Sequence, residues 1–259
     1  MNKLEEICFH KKKEVEKIKF DKDFFIQNQL IKKPRNFLKS IKSKRKKKYN
    51  IITEVKKKSP SKGIIKKNFD PVKIAIEYEK AGACCLSVLT EEKYFLGKLS
   101  YIETIKKYVD IPVLRKDFII NEIQIYESFY YGADSILLIL AILSDYETIK
   151  FYNIAKELNM SVLLEVHDKS ELERAKRLNV ECIGINNRNL KTLEISLNTF
   201  IELSKLIPKG ILKVCESGIS EQKELSLMER YGANAFLVGH SLMQEKNILN
   251  ATKKLLTKE

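Results

Sequence analysis

A chain of 259 residues, 44% hydrophobic and 32% charged, has enough apolar side chain for a large α/β domain or two small ones. Its longest apolar run, 136–143, falls far short of the ~18 residues of a membrane span, and the mixed-charge start 1–6 has no apolar core of a secretion signal, so a cytoplasmic protein without a membrane partner is expected. The net charge of +14 raises nucleic-acid binding, but the one dense basic cluster, 42–48, lacks interleaved aromatics; no nucleic acid is expected, and the excess charge favours small anions instead.

Residues 1–49 read as a helical extension. Leu4, Ile7, Cys8, Lys11, Val15 and Ile18 follow helical spacing, Phe24, Phe25, Leu30 and Ile31 suggest a second short helix, and 34–38 a third. The segment is too small and too basic to be a domain of its own, so it is expected to pack on the body that follows and to cover one of its openings. From residue 50 to 259 a rhythm takes over. Apolar β-rich runs at 51–55, 84–89, 112–114, 135–140, 161–166, 182–185, 211–215 and 235–238 alternate with amphipathic stretches at 71–80, 101–108, 122–131, 145–158, 169–178, 197–206, 221–231 and 244–256. Gly-Ala pairs at 82, 132 and 232 end three of the helices. Continuous apolar strands alternating with helices imply parallel strands buried on both faces. Eight such units predict the α/β class, as a (β/α)8 TIM barrel with an N-terminal helical extension. The alternative, an open doubly wound sheet, usually carries a glycine-rich dinucleotide loop, and none occurs here. The five cysteines are odd in number and lack metal-ligand spacing, so they read as reduced thiols, and no His or carboxylate cluster has metal-ligand spacing, so no metal is expected.

In a barrel the chemistry gathers at the C-terminal ends of the strands. Strand one ends in Glu54, Lys56 and Ser59, strand three in Arg115-Lys116-Asp117-Phe118, and strand five in Glu165 and His167. Strand six gives Asn186-Asn187-Arg188, strand seven Glu216-Ser217-Gly218, and strand eight Gly239-His240-Ser241. Buried charges are costly alone, so this ring must pair internally or serve a ligand. The glycine-bearing loops after strands seven and eight suit a phosphate, where backbone N–H groups can approach an anion closely. Lys56, Ser59 and Arg188 would complete its neutralisation, and the substrate is expected to be a small phosphate ester. A different phosphate-binding barrel, such as a sugar-phosphate isomerase, remains an alternative on these residues alone.

The segments 54–63 (Glu-Val-Lys-Lys-Lys-Ser-Pro-Ser-Lys-Gly), 113–119 (Val-Leu-Arg-Lys-Asp-Phe-Ile), 164–167 (Leu-Glu-Val-His), 183–188 (Ile-Gly-Ile-Asn-Asn-Arg) and 216–219 (Glu-Ser-Gly-Ile) resemble, in order, the motifs of indole-3-glycerol-phosphate synthase. The resemblance extends over nearly the whole chain, the N-terminal helices included. It implies a carboxy-lyase of tryptophan biosynthesis that converts 1-(2-carboxyphenylamino)-1-deoxyribulose 5-phosphate into indole-3-glycerol phosphate, CO2 and water, with no organic cofactor or metal. It further implies that Lys116 is the general acid at the substrate carbonyl and Glu165 its acid–base partner. Glu54 and Lys56 would form a second acid–base pair, either of which could serve dehydration. Asn186 would orient the substrate, with Glu216 and Ser217 close by. Phe118 would lie near the anthranilate ring, and Ser59, Arg188, Gly218 and Gly239, with Lys56, around the phosphate. For Lys116 as a carbonyl acid, burial is expected to lower its pKa toward working pH. One departure is His240, where the family often has serine or glutamate; it is expected to add charge to the phosphate site when protonated. The expected assembly is a monomer or a weak homo-oligomer.

Overall fold

The computed structural model describes residues 2–19, 21–30, 33–43, 48–190 and 192–257. Ile31 of the second expected helix and residues 44–47 of the basic cluster lie outside the described residues. Eight parallel strands close into a barrel in chain order: β1 Ile51–Val55, β2 Cys85–Leu89, β3 Val113–Lys116, β4 Ser135–Ile139, β5 Ser161–Val166, β6 Cys182–Asn186, β7 Leu212–Glu216 and β8 Ala235–Val238. The ring closes where β1 pairs with β8, Ile52 opposite Leu237. Three helices precede it: α1 Lys3–Val15, α2 Lys22–Gln27 and α3 Phe37–Lys42. Around it run α4 Pro71–Ala81, α5 Ser100–Lys106, α6 Ile123–Tyr130, α7 Asp145–Glu157, α8 Lys169–Lys176, α9 Asn198–Ser204, α10 Gln222–Arg230, α11 His240–Met243 and α12 Ile248–Leu256.

Local chemistry explains many of the helix ends. Asp70 accepts the N–H groups of Val72 and Lys73 before Pro71 starts α4, and Ser144 and Glu147 form a reciprocal capping box on α7. Gly82, Gly132 and Gly232 sit in left-handed conformations just past α4, α6 and α10. Two expectations need correction. The last helix, expected over 244–256, starts only at Ile248, because Asn247 caps it by accepting the N–H of Asn250, and a separate short helix, α11, ends before the expected range at Met243. Strands β3, β6 and β7 run one or two residues beyond their apolar runs, through Lys116, Asn186 and Glu216. Backbone pairing continues there, and the inward side chains simply become polar.

Side chains alternate between two apolar layers. Outward residues such as Val88, Val113, Leu138, Leu164 and Ile183 pack under the helices. Inward residues Ile52, Cys85, Leu114, Leu137, Leu163, Cys182 and Val214 fill the lumen, together with Phe37 and Ile41 of α3. α3 is thus a plug at the N-terminal end of the strands, and each of its two fully buried side chains contributes about 1.5–3 kcal/mol. A charge cluster sits at the same end. Asp134, just before β4, accepts the N–H of Val113, the N–H of Arg35 and the ammonium of Lys106, and all three oxygen contacts are within the protein. α1 lies at the opposite end, where buried Lys11 pairs at 3.1 Å with Asp117, the residue after β3. Between them α2 contacts α6, and Leu30 donates its N–H to the Tyr130 carbonyl. The N-terminal segment therefore touches both ends of the barrel. Among the described residues no helix is long and apolar enough to cross a membrane.

Candidate active site

At the C-terminal ends of the strands lies a cavity of about 450 Å³, and every one of the thirteen candidate residues lines it: Glu54, Lys56, Ser59, Lys116, Phe118, Glu165, Asn186, Arg188, Glu216, Ser217, Gly218, Gly239 and His240. Lys3, Leu4 and Ile7 of α1 form part of its wall, which places the extension over this opening.

The centre is a lysine between two carboxylates. Lys116, the last residue of β3, donates to Glu165 Oε2 at 2.7 Å and to Glu216 Oε2 at 3.2 Å. Three strands supply the trio, each from an inward position at its C-terminal end. Burial alone would drive the Lys116 pKa down, but Glu165 and Glu216 outweigh it and hold the ammonium well above its usual range. The expectation of a lowered lysine is therefore reversed. The amine is locked in its acid form rather than softened by dry surroundings.

The two carboxylates are pushed apart. Burial alone would raise Glu165, but Lys116 and His167 beside it hold it well below the usual carboxylate range. Glu216 is raised, by burial first and by the neighbouring Glu165, against the pull of Lys116. Its Oε1 is buried without a hydrogen-bond partner. One carboxylate is thus an anion and the other favours its proton.

Glu54 and Lys56, on the same face of β1 and its continuation, form an ion pair beside this trio. Gly239 makes room for Glu54. A Cβ on Gly239 would meet Glu54 Oε1 at 2.3 Å, so the glycine expected to admit phosphate to the backbone is first required by the packing of a carboxylate. Beyond Glu54 the cavity becomes cationic. His240 is pushed below its ordinary value by burial and by Lys56, Lys62 and Arg188. Its Nδ1 is buried without a partner. Ser241 Oγ donates to the Ile219 carbonyl at 3.0 Å and ties the loops after β7 and β8 together. Ser217 and Gly218 both take left-handed conformations, with φ of 64° and 86°. Opposite, Phe118 faces Phe95 at 6.2 Å between ring centroids, giving the cavity an aromatic wall. Among the described residues no group of three or more His, Cys, Asp or Glu side chains could hold a metal ion.

A model of the indole-3-glycerol phosphate synthase family matches residues 4–255. The chain belongs to that family. It is 45% identical to the indole-3-glycerol phosphate synthase of Legionella pneumophila (strain Paris) over 255 residues, covering 98% of each chain. It is 47% identical to that of Campylobacter fetus subsp. fetus (strain 82-40) over 212 residues, 82% of each. Among solved structures, a 3-hexulose-6-phosphate synthase superposes with a TM-score of 0.65 at 15% identity, over 80% of this chain and 97% of the other. That likeness concerns the barrel alone.

Four residues shape the site although the sequence reading gave them no role in it. Gly184, inside β6, is obligatory: a Cβ there would sit 2.0 Å from Glu216 Oε1. Its signal was a glycine within an apolar strand, which marks a close approach. Asn187 donates to the carbonyls of Glu216 and Ser217, both at 3.0 Å, and accepts the Phe200 N–H, so it fixes the end of β7. Lys62 and Phe95 reach the cavity from loops, where no periodicity points inward.

Proposed function

We propose that the cavity performs the family's reaction with the residues just placed, Lys116 as general acid and Glu165 as its base. Indole-3-glycerol phosphate synthase, a carboxy-lyase of tryptophan biosynthesis, closes the indole ring of 1-(2-carboxyphenylamino)-1-deoxyribulose 5-phosphate and releases CO2 and water. The substrate's phosphate lies toward Lys56, Ser59, Lys62, Arg188, Gly218 and Gly239, where cations converge and helix α11 begins with N–H groups that have no partner within the helix. Its aromatic ring lies toward Phe118 and Phe95. In that pose Lys116 gives its proton to the ketone oxygen as the ring carbon attacks, so no alkoxide has to form in a dry site. The ring carboxylate then leaves as CO2, and its electrons restore the ring. Glu165, already ionised, takes the proton from the carbon that becomes unsaturated. The hydroxyl departs as water with a proton from the acid side of the site. Glu54 and Lys56 form the second acid–base pair, at the ring and its carboxylate. Glu216, Ser217 and Asn186 orient the reacting centre.

The observation that carries this reading is the Lys116 ammonium held between one ionised and one proton-retaining carboxylate. A cytoplasmic monomer or weak homo-oligomer acting on this phosphorylated small molecule, without nucleic acid, belongs to the same reading. Incubating the protein with the carboxyphenylamino-deoxyribulose phosphate and following indole fluorescence tests it. Product formation is expected; its absence overturns the function. Full activity in Lys116→Ala and Glu165→Gln overturns the residue assignment.

A further inference from the structure

His167 has no part in the reaction as written, yet it is built into the site. It is the residue after β5, two beyond Glu165, and the extended spacing brings the two side chains side by side. Its Nε2 lies 3.1 Å from Glu165 Oε1, the oxygen that Lys116 does not use. The approach is close in distance and oblique in angle, a charge contact rather than a hydrogen bond. Its Nδ1 lies 3.1 Å from Glu171 Oε2, which also accepts the His167 backbone N–H at 2.8 Å. Glu171 in turn sits in the first turn of α8, its own N–H bonded to the capping Asp168 at 2.8 Å. The helix start therefore clamps one ring nitrogen and holds the other beside Glu165.

The clamp bears on an ambiguity in the trio. Lys116 touches both Glu165 and Glu216, both are buried, and one cation cannot keep two adjacent carboxylates ionised. What distinguishes them is the second cation, which reaches Glu165 alone. We propose that His167 is a positioning residue that makes Glu165 the ionised member of the pair and leaves the proton on Glu216. The proposal rests on the reading of Glu165 as the base. Two cations on opposite oxygens also fix the plane of the Glu165 carboxylate, so the oxygen facing Lys116 is the one facing substrate.

The surroundings keep the imidazole charged. Glu165 faces it from β5, and Asp168 and Glu171 from the start of α8. Glu5 of α1 and Glu194 of the loop after β6 line the adjoining polar cavity of about 660 Å³, into which His167 opens. The like charge of Lys116 lies on the other oxygen of Glu165. Burial alone would lower His167, but Glu165 and Glu171 raise it to about 10. Pairs of groups with environments pushing their pKa values apart mark acid and base roles, and here the histidine supplies the difference.

The test compares wild type with His167→Gln and His167→Ala. In His167→Gln the acid limb of the kcat/KM profile moves up by about one pH unit or more, because Glu165 loses a stabilising cation. kcat falls about tenfold or more while KM stays within about twofold. Added imidazole, entering through the adjoining cavity, restores part of the activity of His167→Ala. An unmoved acid limb in a folded His167→Gln overturns the proposal, as does a loss accounted for by the unfolded fraction alone. Should neither variant fold, side-chain 15N spectra of wild type decide: an imidazolium at about pH 8 is expected, and a neutral ring there overturns the proposal. If wild type makes no indole product, the functional reading fails and this one with it. Wild-type activity with an unaffected His167→Gln sinks only this one.

Discussion

Asp134 and Glu165 are both fully buried carboxylates beside a lysine, at opposite ends of adjacent strands. At the N-terminal end, Asp134 spends its oxygens on Lys106, on the Arg35 N–H and on the Val113 N–H. Every contact is to the protein, and the cluster joins the N-terminal segment, α5 and β3. At the C-terminal end, Lys116 is divided between two carboxylates, Glu216 Oε1 and His240 Nδ1 have no partner, and cations gather around His240. The first arrangement uses its charges up in holding the fold. The second leaves charge and hydrogen-bonding capacity facing a cavity, at a cost that only a ligand makes sense of.

Exchanging the lysine or its partner at each end should separate these roles most sharply. Asp134→Ala leaves the buried Lys106 ammonium and two backbone N–H groups unpaired; a loss of about 3–5 kcal/mol is expected. That corresponds to a drop of roughly 10 °C in Tm, read by thermal melting, with kcat per folded molecule unchanged. Lys116→Ala should do the reverse. Indole formation per folded molecule falls about a thousandfold, as for loss of a general acid, while the loss of stability is smaller than for Asp134→Ala, because the adjoining cavity admits water to the carboxylates left behind. A Lys116→Ala protein as unstable as Asp134→Ala would mean that the upper trio is structural after all.

A smaller but more specific effect is expected at Gly184. Adding one methyl places a Cβ 2.0 Å from Glu216 Oε1, and the carboxylate has to move away from Lys116. A displacement near 1 Å in such a site costs about a hundredfold in kcat. The product assay on Gly184→Ala, with circular dichroism to check folding, measures it. Unchanged kcat would show that the position of Glu216 does not matter to turnover.

The two ends also differ in how much of them the sequence discloses. The upper ring was legible because each strand announces its own end: an apolar run stops at Glu54, Lys116, Glu165, Asn186 or Glu216, and closure of the barrel brings those ends together. Arg35, Lys106 and Asp134 lie far apart with no pattern linking them, and only folding shows that they meet. Within the upper ring, residue identity disclosed position better than it did electrostatics. Lys116 was expected to be lowered by burial, but the sign depends on two carboxylates from β5 and β7 arriving within 3.2 Å, which spacing along the chain cannot give. Gly239 reads as an anion-binding glycine until Glu54 is seen packed against it.

The smallest expected effect distinguishes the two carboxylates of the trio by the sign of their pH dependence. Glu165 lies below its ordinary value of 4.5 in the folded protein, so its contribution to stability is present above that value and lost as pH falls through the lower, native one. Glu216 is raised, so its contribution is present below 4.5 and lost as pH rises through its native value. Glutamine imitates a protonated carboxyl. Glu165→Gln should therefore destabilise the protein at neutral pH, by stripping Lys116 and His167 of their shared anion. Glu216→Gln should be neutral near pH 4.5 and increasingly stabilising toward alkaline pH. Urea unfolding at several pH values measures both. Parallel curves for the two variants would mean that the carboxylates are equivalent, and the asymmetry that assigns base and proton carrier would be lost. Asp134→Asn provides the reference from the other end, where the carboxylate is fully buried among its protein partners and the whole effect is expected on folding.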